Sequence, residues 1–183
     1  MLALGTPAPP FSLSDGTGKR YALEDFAGSR ALLVAFICNH CPYVKHILEG
    51  FVRFAREYGA KGLAVIAINS NDARARPDDD AQHMVRIAAE KGFDFPYLID
   101  EEQTVAKAYQ AICTPDFFLF DAARKLVYRG QFDASRPGNA SPVTGSDLRA
   151  AVDALFAGRR IERQIPSIGC SIKWKPGQAP EWG

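Results

Sequence analysis

The stretch Ala31-Leu32-Leu33-Val34-Ala35-Phe36-Ile37-Cys38-Asn39-His40-Cys41-Pro42 decides how the fold of this 183-residue chain is interpreted. Its first seven residues are all apolar, which is typical of a strand that is covered on both faces of a sheet. Cys38 and Cys41 follow, and a helical pattern of apolar residues begins at Pro42. The segment therefore predicts a buried strand, a short turn that carries two thiols, and a helix.

This arrangement of two thiols favours redox chemistry. Cysteines separated by two residues can close a disulfide within one turn. The positive end of a helix dipole beside them would stabilise a thiolate. A dithiol that is both reactive and able to close on itself is what thiol–disulfide exchange requires.

Length and composition exclude several classes of protein. The length suits one domain with an ordinary core, and a formal net charge of +1 gives no general attraction to nucleic acid or membrane. No run approaches the ~18 apolar residues of a membrane span. Residues 1–7 lack the basic and apolar regions of a secretory signal. We therefore expect a cytoplasmic protein with no nucleic-acid partner, no membrane partner and no structural disulfide framework.

The remaining pattern predicts an α/β protein. A short hairpin comes first, then strands alternate with helices, and a strand pair and a last helix follow, which indicates a central mixed sheet flanked by helices. The predicted strands are 11–13, 19–23, 31–37, 63–68, 95–99, 117–120 and 126–130, and the predicted helices are 42–58, 80–91, 100–110 and 146–158. The three aspartates at 78–80 are expected to cap the second of these helices.

Residues 161–183 follow a different pattern. Prolines and glycines interrupt any regular element there, yet the segment is too apolar for a free tail, and Trp174 and Trp182 are expected to anchor it. We therefore predict a domain at residues 1–160 and an extended arm at 161–183 that packs on the domain or on a partner chain.

Several further segments, taken in order, carry a family resemblance. They are the opening 5–13, the C-x-x-C pair after a buried strand, and the segments 65–69, 95–100, 105–109 and 114–121. From about Pro7 to Phe156 the chain resembles the thioredoxin superfamily, nearest to TlpA-like oxidoreductases and AhpC/TSA-type peroxiredoxins. The resemblance implies a thioredoxin-like fold for residues 1–160. It also implies a cis proline at Pro115, which faces the redox cysteines, and an insertion between Leu63 and Tyr109.

Either cysteine of the pair can be the nucleophile, depending on how the chain is aligned with the family. In the simple register, Cys38 is the first cysteine of a thioredoxin-type pair and attacks the substrate. In the other, Pro42 is the first helical residue and Cys41 is the N-cap, so Cys41 attacks a substrate disulfide and Cys38 resolves the mixed disulfide. Helix capping favours the second solution.

Three functions are compatible with the cysteine pair. The first is a thiol–disulfide oxidoreductase that acts on a disulfide-containing protein or a small thiol substrate, restored by a reducing partner and needing no organic cofactor. The second is a peroxiredoxin-like peroxidase that uses Cys41, although that family has Thr or Ser where this chain has Cys38. The third is a copper-handling protein in which His40, His46 or His83 joins the two thiolates. No structural metal site is expected, because a second cysteine or histidine pair is absent.

Several residues outside the pair are candidate site residues. Thr114 and Pro115 are expected to bind substrate. Cys113 and Cys170 either form a second redox relay, in which Cys170 folds back to Cys113 or to the Cys38–Cys41 pair, or are inert packed thiols.

Two further side chains, those of His40 and Arg129, have structural as well as functional interpretations. His40 either stabilises a thiolate when protonated or shuttles a proton, or it is a turn residue that faces solvent. We expect Arg129 to be a solvated charge on a strand. The sequence leaves the oligomeric state open.

Overall fold

A mixed sheet lies at the centre of this protein, in a computed structural model that describes residues 2–181. Its strands are β1 (Ser12–Asp15), β2 (Arg20–Ala22), β3 (Ala31–Phe36), β4 (Leu63–Asn69), β5 (Tyr97–Ile99), β7 (Asp116–Phe120) and β8 (Leu126–Gly130). They are ordered β2-β1-β5-β4-β3-β7-β8. A separate small ladder joins β6 (Cys113–Thr114) to β9 (Cys170–Ser171).

The helices cover the faces of the sheet. They are α1 (Pro42–Gly59), α2 (Ala81–Lys91), α3 (Thr104–Tyr109) and α4 (Ser146–Phe156), and short 3-10 turns occupy Leu23–Phe26 and Pro77–Asp79. The predicted α/β class with a central mixed sheet flanked by helices is confirmed. Among the residues described, none of the helices is long and apolar enough to cross a membrane.

The third helix is shorter than the predicted range 100–110. Asp100 does not enter it, because its carboxylate accepts hydrogen bonds from the backbone N–H groups of Val105 (3.2 Å) and Ala106 (2.8 Å). It also accepts one from the Ser70 hydroxyl (2.8 Å). Asp100 therefore ties the start of α3 to the end of β4.

Strand β3 is the buried strand that the apolar run at 31–37 predicted. It lies parallel to β4 and antiparallel to β7, and all six of its residues are buried. Leu33 and Ala35 point into the apolar cluster that includes α1, while Val34 and Phe36 point into the cluster on the opposite face. A strand with a covered face on either side has no polar position, so its sequence is continuously apolar.

The C-terminal arm lies across the domain. The backbone N–H of Gln131 donates to the oxygen of Ile165 (2.8 Å), and the Ser167 hydroxyl donates to the oxygen of Gly130 (2.7 Å). Trp174 packs against the apolar cluster that contains Val34. Trp182 lies outside the described residues. The division at residue 160 stays a prediction.

Candidate redox site

The two cysteines lie just beyond the C-terminal end of β3. Cys41 is the N-cap of α1, and Pro42 is its first residue, as the capping argument predicted. Both thiols are almost completely covered, with Cys38 1% exposed and Cys41 0% exposed. The site is therefore a buried dithiol at the N-terminus of a helix.

Thr114 contacts both sulfur atoms. Its hydroxyl is 3.2 Å from the Cys38 sulfur, and its backbone oxygen accepts a hydrogen bond from the Cys41 thiol at the same distance. The Thr114–Pro115 peptide bond is cis. The tertiary fold thus brings the sequence-predicted Thr114 and Pro115 to the cysteine pair.

The two cysteines have opposite acidities. The pKa of Cys41 falls from 9.0 to about 4, above all because the Cys38 thiol donates a hydrogen bond to its sulfur. Burial opposes the shift, whereas the Cys170 thiol and the backbone N–H of Val44 add to it. The pKa of Cys38 is raised by the hydrogen bond to Cys41, by burial and by the negative charge of Asp79. Cys41 is therefore the more acidic thiol of the pair, and Cys38 is the less acidic one.

Asp79 is a site residue that the sequence interpretation missed. It is 4% exposed, and its carboxylate accepts hydrogen bonds from the backbone N–H of Asn39 (2.6 Å) and from the Asn71 side chain (2.9 Å). The sequence assigned 78–80 as helix caps, but only Asp80 caps α2, through the N–H of His83. A helix needs only one capping residue, so the three consecutive aspartates at 78–80 were a sign that one of them has another role.

His40 is held in place by Asp79. Its Nδ1 atom lies 2.6 Å from the Asp79 carboxylate, and the side chain is only 12% exposed. The interpretation of His40 as a turn residue that faces solvent is therefore wrong. The ligand atoms of Cys38, His40 and Asp79 all lie within 4.8 Å of one another, close enough to hold a metal ion.

The other histidines of the copper-handling alternative lie elsewhere. His83 is on α2 and lies 2.8 Å from the Asp80 carboxylate. His46 is on α1, and its Nε2 atom is buried without a hydrogen-bond partner among the described residues. Within residues 2–181, the group of possible metal ligands at the cysteine pair is thus Cys38, His40 and Asp79, without Cys41.

Cys113 is a buried thiol beside the site. It is 6% exposed, its sulfur donates to the oxygen of Pro115 at 3.6 Å, and burial followed by the charge of Asp116 raises its pKa. A protonated thiol is a poor nucleophile. These features favour the interpretation of Cys113 as a packed thiol.

Arg129 was expected to be a solvated charge, and this expectation is wrong. Its side chain is 8% exposed and lies 2.9 Å from the carboxylate of Asp116, which is 2% exposed. It also donates to the backbone oxygen of Gln110 (2.8 Å). This ion pair lies directly after Pro115 and fixes the start of β7, so its role is structural.

Cys170 approaches the cysteine pair from the arm. It is partly exposed and pairs with Thr114 across the β6–β9 ladder. Its thiol and its backbone N–H both act on the Cys41 sulfur and lower its pKa. Burial and Cys41 raise the pKa of Cys170 itself to about 11. Three thiols, those of Cys38, Cys41 and Cys170, therefore meet around Thr114.

A cavity of about 330 Å³ opens beside the Cys38 side of the pair. Its walls are mostly apolar and include Val44, Leu48 and Ile87, with Lys45 and Lys91 also among the lining residues. Such a cavity can take an apolar group, and Lys91 is already paired with Glu49 at 3.2 Å.

Known proteins similar to this chain fall into two groups. A solved structure of a hypothetical protein from Sinorhizobium meliloti 1021 has a TM-score of 0.95 and 53% sequence identity, and covers 97% of each chain. The alignment therefore extends into the C-terminal arm. The thioredoxin domain of a thiol-disulfide oxidoreductase from Bacteroides vulgatus has a TM-score of 0.61 at 18% identity, covering 81% of this chain and 97% of that one. This second likeness shows that the fold is thioredoxin-like.

Sequence comparison gives the family. The thiol-disulfide oxidoreductase ResA of Geobacillus thermodenitrificans is 26% identical over 125 residues, which are 68% of this chain and 67% of that protein. This chain therefore spans about two thirds of the length of that curated relative. Residues 4–129, more than half of the chain, match the AhpC/TSA family. The chain belongs to the AhpC/TSA family.

Proposed function

We propose that this protein is a thiol–disulfide oxidoreductase in which Cys41 is the nucleophile and Cys38 is the resolving cysteine. The observation that carries the proposal is the position of the thiol pair at a helix N-terminus, where Cys41 is the N-cap and Thr114 lies 3.2 Å from each sulfur atom. The opposite pKa shifts of the two thiols support it. A lowered pKa gives Cys41 a large thiolate fraction near neutral pH and also makes it a good leaving group.

The reaction is a pair of sulfur exchanges. The Cys41 thiolate attacks one sulfur of a substrate disulfide, the substrate S–S bond breaks, and the other substrate sulfur leaves as a thiolate. Cys38 then gives up its proton and attacks the Cys41 sulfur. The Cys38–Cys41 disulfide forms, and the second substrate thiolate leaves. Two electrons pass to the substrate, and an external dithiol must return them.

The proton of Cys38 has an acceptor nearby. Asp79 and His40 form a hydrogen-bonded pair whose polar atoms lie within 4.8 Å of the Cys38 sulfur. Because Asp79 is buried, its charge acts on Cys38 with little screening. The pair is placed to receive the proton as Cys38 becomes a nucleophile.

The substrate class follows from this chemistry. It is a disulfide-containing protein or a small disulfide, with a cellular dithiol as the reducing partner. Exchange between sulfurs needs no organic cofactor. A cytoplasmic location stays a prediction.

Two observations support other functions. Membership of the AhpC/TSA family and a Cys41–Pro42 pair at a helix start favour peroxide reduction. The group formed by Cys38, His40 and Asp79 favours metal binding. Peroxide consumption with a dithiol present, and stoichiometric Cu(I) binding to the reduced protein, test these alternatives.

The main test uses reduced Cys38→Ser and Cys41→Ser proteins. We expect Cys41 in the first variant to react with iodoacetamide at about pH 5 much faster than Cys38 in the second. Insulin reduction by the wild-type protein with dithiothreitol tests the activity itself. If Cys41 reacts no faster than Cys38, the assignment of the nucleophile is wrong.

A further inference from the structure

The C-terminal arm covers the nucleophile. Cys38 and Cys41 are almost fully buried, so in this conformation a large substrate cannot reach either sulfur. Cys170 is partly exposed and directly neighbours Cys41. Among the three thiols that meet around Thr114, Cys170 therefore has the best access to solvent.

The position of Cys170 is fixed from its N-terminal side. An alanine at Gly169 would place its Cβ 2.0 Å from the backbone oxygen of Thr114, so the arm approaches the 113–115 segment as closely as only glycine allows. Cys170 then pairs with Thr114, and Ser171 pairs with Cys113. The register of this ladder sets which side chain reaches Cys41.

The arm is also fixed beyond Cys170. The N–H of Ile172 donates to the oxygen of Ile112 (3.4 Å). Lys173 donates its N–H to the Asn71 side chain and accepts a bond from the N–H of Asp72, both at 2.8 Å. Because this segment is held at both ends, the Cys170 thiol stays next to the redox pair.

We infer that Cys170 is a third exchange cysteine, which forms a disulfide with Cys41 and so passes the disulfide between the buried pair and a thiol substrate at the surface. This inference rests on the proposed function and extends it. In this route Cys41 is still the nucleophile of the buried pair, but the disulfide that it attacks is the one between Cys170 and the substrate, because Cys41 itself is 0% exposed.

The transfer consists of balanced exchanges. Starting from the Cys38–Cys41 disulfide, the Cys170 thiolate attacks the Cys41 sulfur, the Cys41–Cys170 bond forms, and Cys38 leaves as a thiolate that takes up a proton. A substrate thiolate then attacks the Cys170 sulfur, and Cys41 leaves as a thiolate. A second substrate thiol releases the product disulfide and returns Cys170 to its reduced form. The reverse sequence reduces a substrate disulfide.

Local charge makes the order of these steps reasonable. The Cys41 thiolate suppresses ionisation of Cys170, whereas Lys173 and Arg76 favour it. When Cys41 is held in the disulfide with Cys38, its charge is gone, so Cys170 ionises more readily. The Thr114 hydroxyl, 3.2 Å from the Cys38 sulfur, stabilises Cys38 as it leaves. Cys170 is thus most reactive when the pair is oxidised.

Disulfide mapping tests the inference directly. Reduced Cys38→Ser protein is treated with oxidised glutathione and digested without reduction. We expect a peptide pair joined through Cys41 and Cys170. The variant that combines Cys38→Ser with Cys170→Ser is the control: it cannot form this peptide pair, and because Cys41 is 0% exposed it should take up glutathione more slowly than the first variant. A stable Cys41–glutathione adduct with a free Cys170 in the first variant would overturn the inference.

Turnover gives a second, separate readout. With insulin as substrate, Cys170→Ser should reduce the rate by about tenfold or more, which is the loss expected for a residue that exchanges bonds in the reaction. Ser171→Ala, a change on the same strand that keeps all thiols, should leave the rate unchanged. An unchanged rate in Cys170→Ser would overturn the transfer route. A wild-type protein that reduces no disulfide would instead refute the proposed function, while disulfide mapping still decides the Cys41–Cys170 bond.

Discussion

Replacing Gly169 by alanine is expected to lift the C-terminal arm from the cysteine pair. The added Cβ would lie 2.0 Å from the Thr114 oxygen and 2.6 Å from the Thr114 carbonyl carbon, whereas ordinary contact begins at 3.4 Å. Both obstructing atoms are backbone, so no side chain can rotate away. The arm must therefore move by about 1 Å or more, because packed interiors do not absorb such an overlap.

The size of the effect follows from the hydrogen bonds that this movement breaks. The ladder between 113–114 and 170–171, together with the Ile172–Ile112 bond, holds the arm at the site. Each such bond contributes roughly 1 kcal/mol net, so losing two of them weakens docking by about 2 kcal/mol. At 1.4 kcal/mol per factor of ten, the population of the open arm rises by about 30-fold.

Alkylation of Cys41 measures that population. At about pH 8 the lowered pKa keeps Cys41 a thiolate, so access rather than ionisation sets its rate. Peptide mapping after brief iodoacetamide treatment should show Cys41 modified about 30-fold faster in Gly169→Ala, in proportion to the open population. Hydrogen exchange over residues 165–175 should accelerate in parallel.

Gly28→Ala is the matched control, because an alanine Cβ there would meet no atom within 4 Å. It should leave both measurements unchanged. Equal Cys41 alkylation and equal arm exchange in Gly169→Ala and wild type would refute the argument that close backbone contact at Gly169 holds the arm over the nucleophile.

Three other changes probe the site. The relative alkylation rate of Cys41 should stay near its plateau down to about pH 5 and fall as the pH drops through 4, because its pKa is lowered; a rate that falls steadily below pH 9 would contradict this. Arg129→Met should cost about 3–5 kcal/mol in urea unfolding, since it leaves buried Asp116 without its partner, and adding Asp116→Asn should recover part of the loss. Thr114→Val removes the hydroxyl that lowers the pKa of Cys38, so attack of Cys38 on the mixed disulfide should slow by about tenfold. The mixed disulfide should then accumulate in quenched samples. If it does not accumulate, Thr114 does not assist Cys38.

Local patterns predicted the elements that position the nucleophile. The unbroken apolar run of β3 follows from burial on both faces, and a proline after Cys41 fixes the start of α1. Both signals act within a few residues of the feature that they predict. The helix expected at 100–110 begins only at Thr104, because the Asp100 carboxylate lies before it and accepts the N–H groups of Val105 and Ala106 in its first turn.

Residues distant in the chain could not be assigned in the same way. Asp79 was interpreted as a helix cap, yet it lies against Asn39 and His40, about forty positions earlier, because β4 returns the chain to the end of β3. Arg129 was expected in solvent, but the β7–β8 pairing and the arm bury it beside Asp116. The sequence around a charged residue does not show which distant residue will be buried beside it and neutralise its charge.

The sequence by itself determined the α/β class, the buried strand that precedes the two cysteines, and the place of Cys41 at a helix N-terminus, because apolar periodicity and capping are local properties of the chain. Only the tertiary structure decided what surrounds the two thiols. It places Thr114 in contact with both of them, a carboxylate oxygen of Asp79 within 4.8 Å of the Cys38 sulfur, and Cys170 of the arm beside Cys41. These neighbours depend on strand order and on backbone close approach at Gly169, which are set by packing across the whole domain rather than by any short segment.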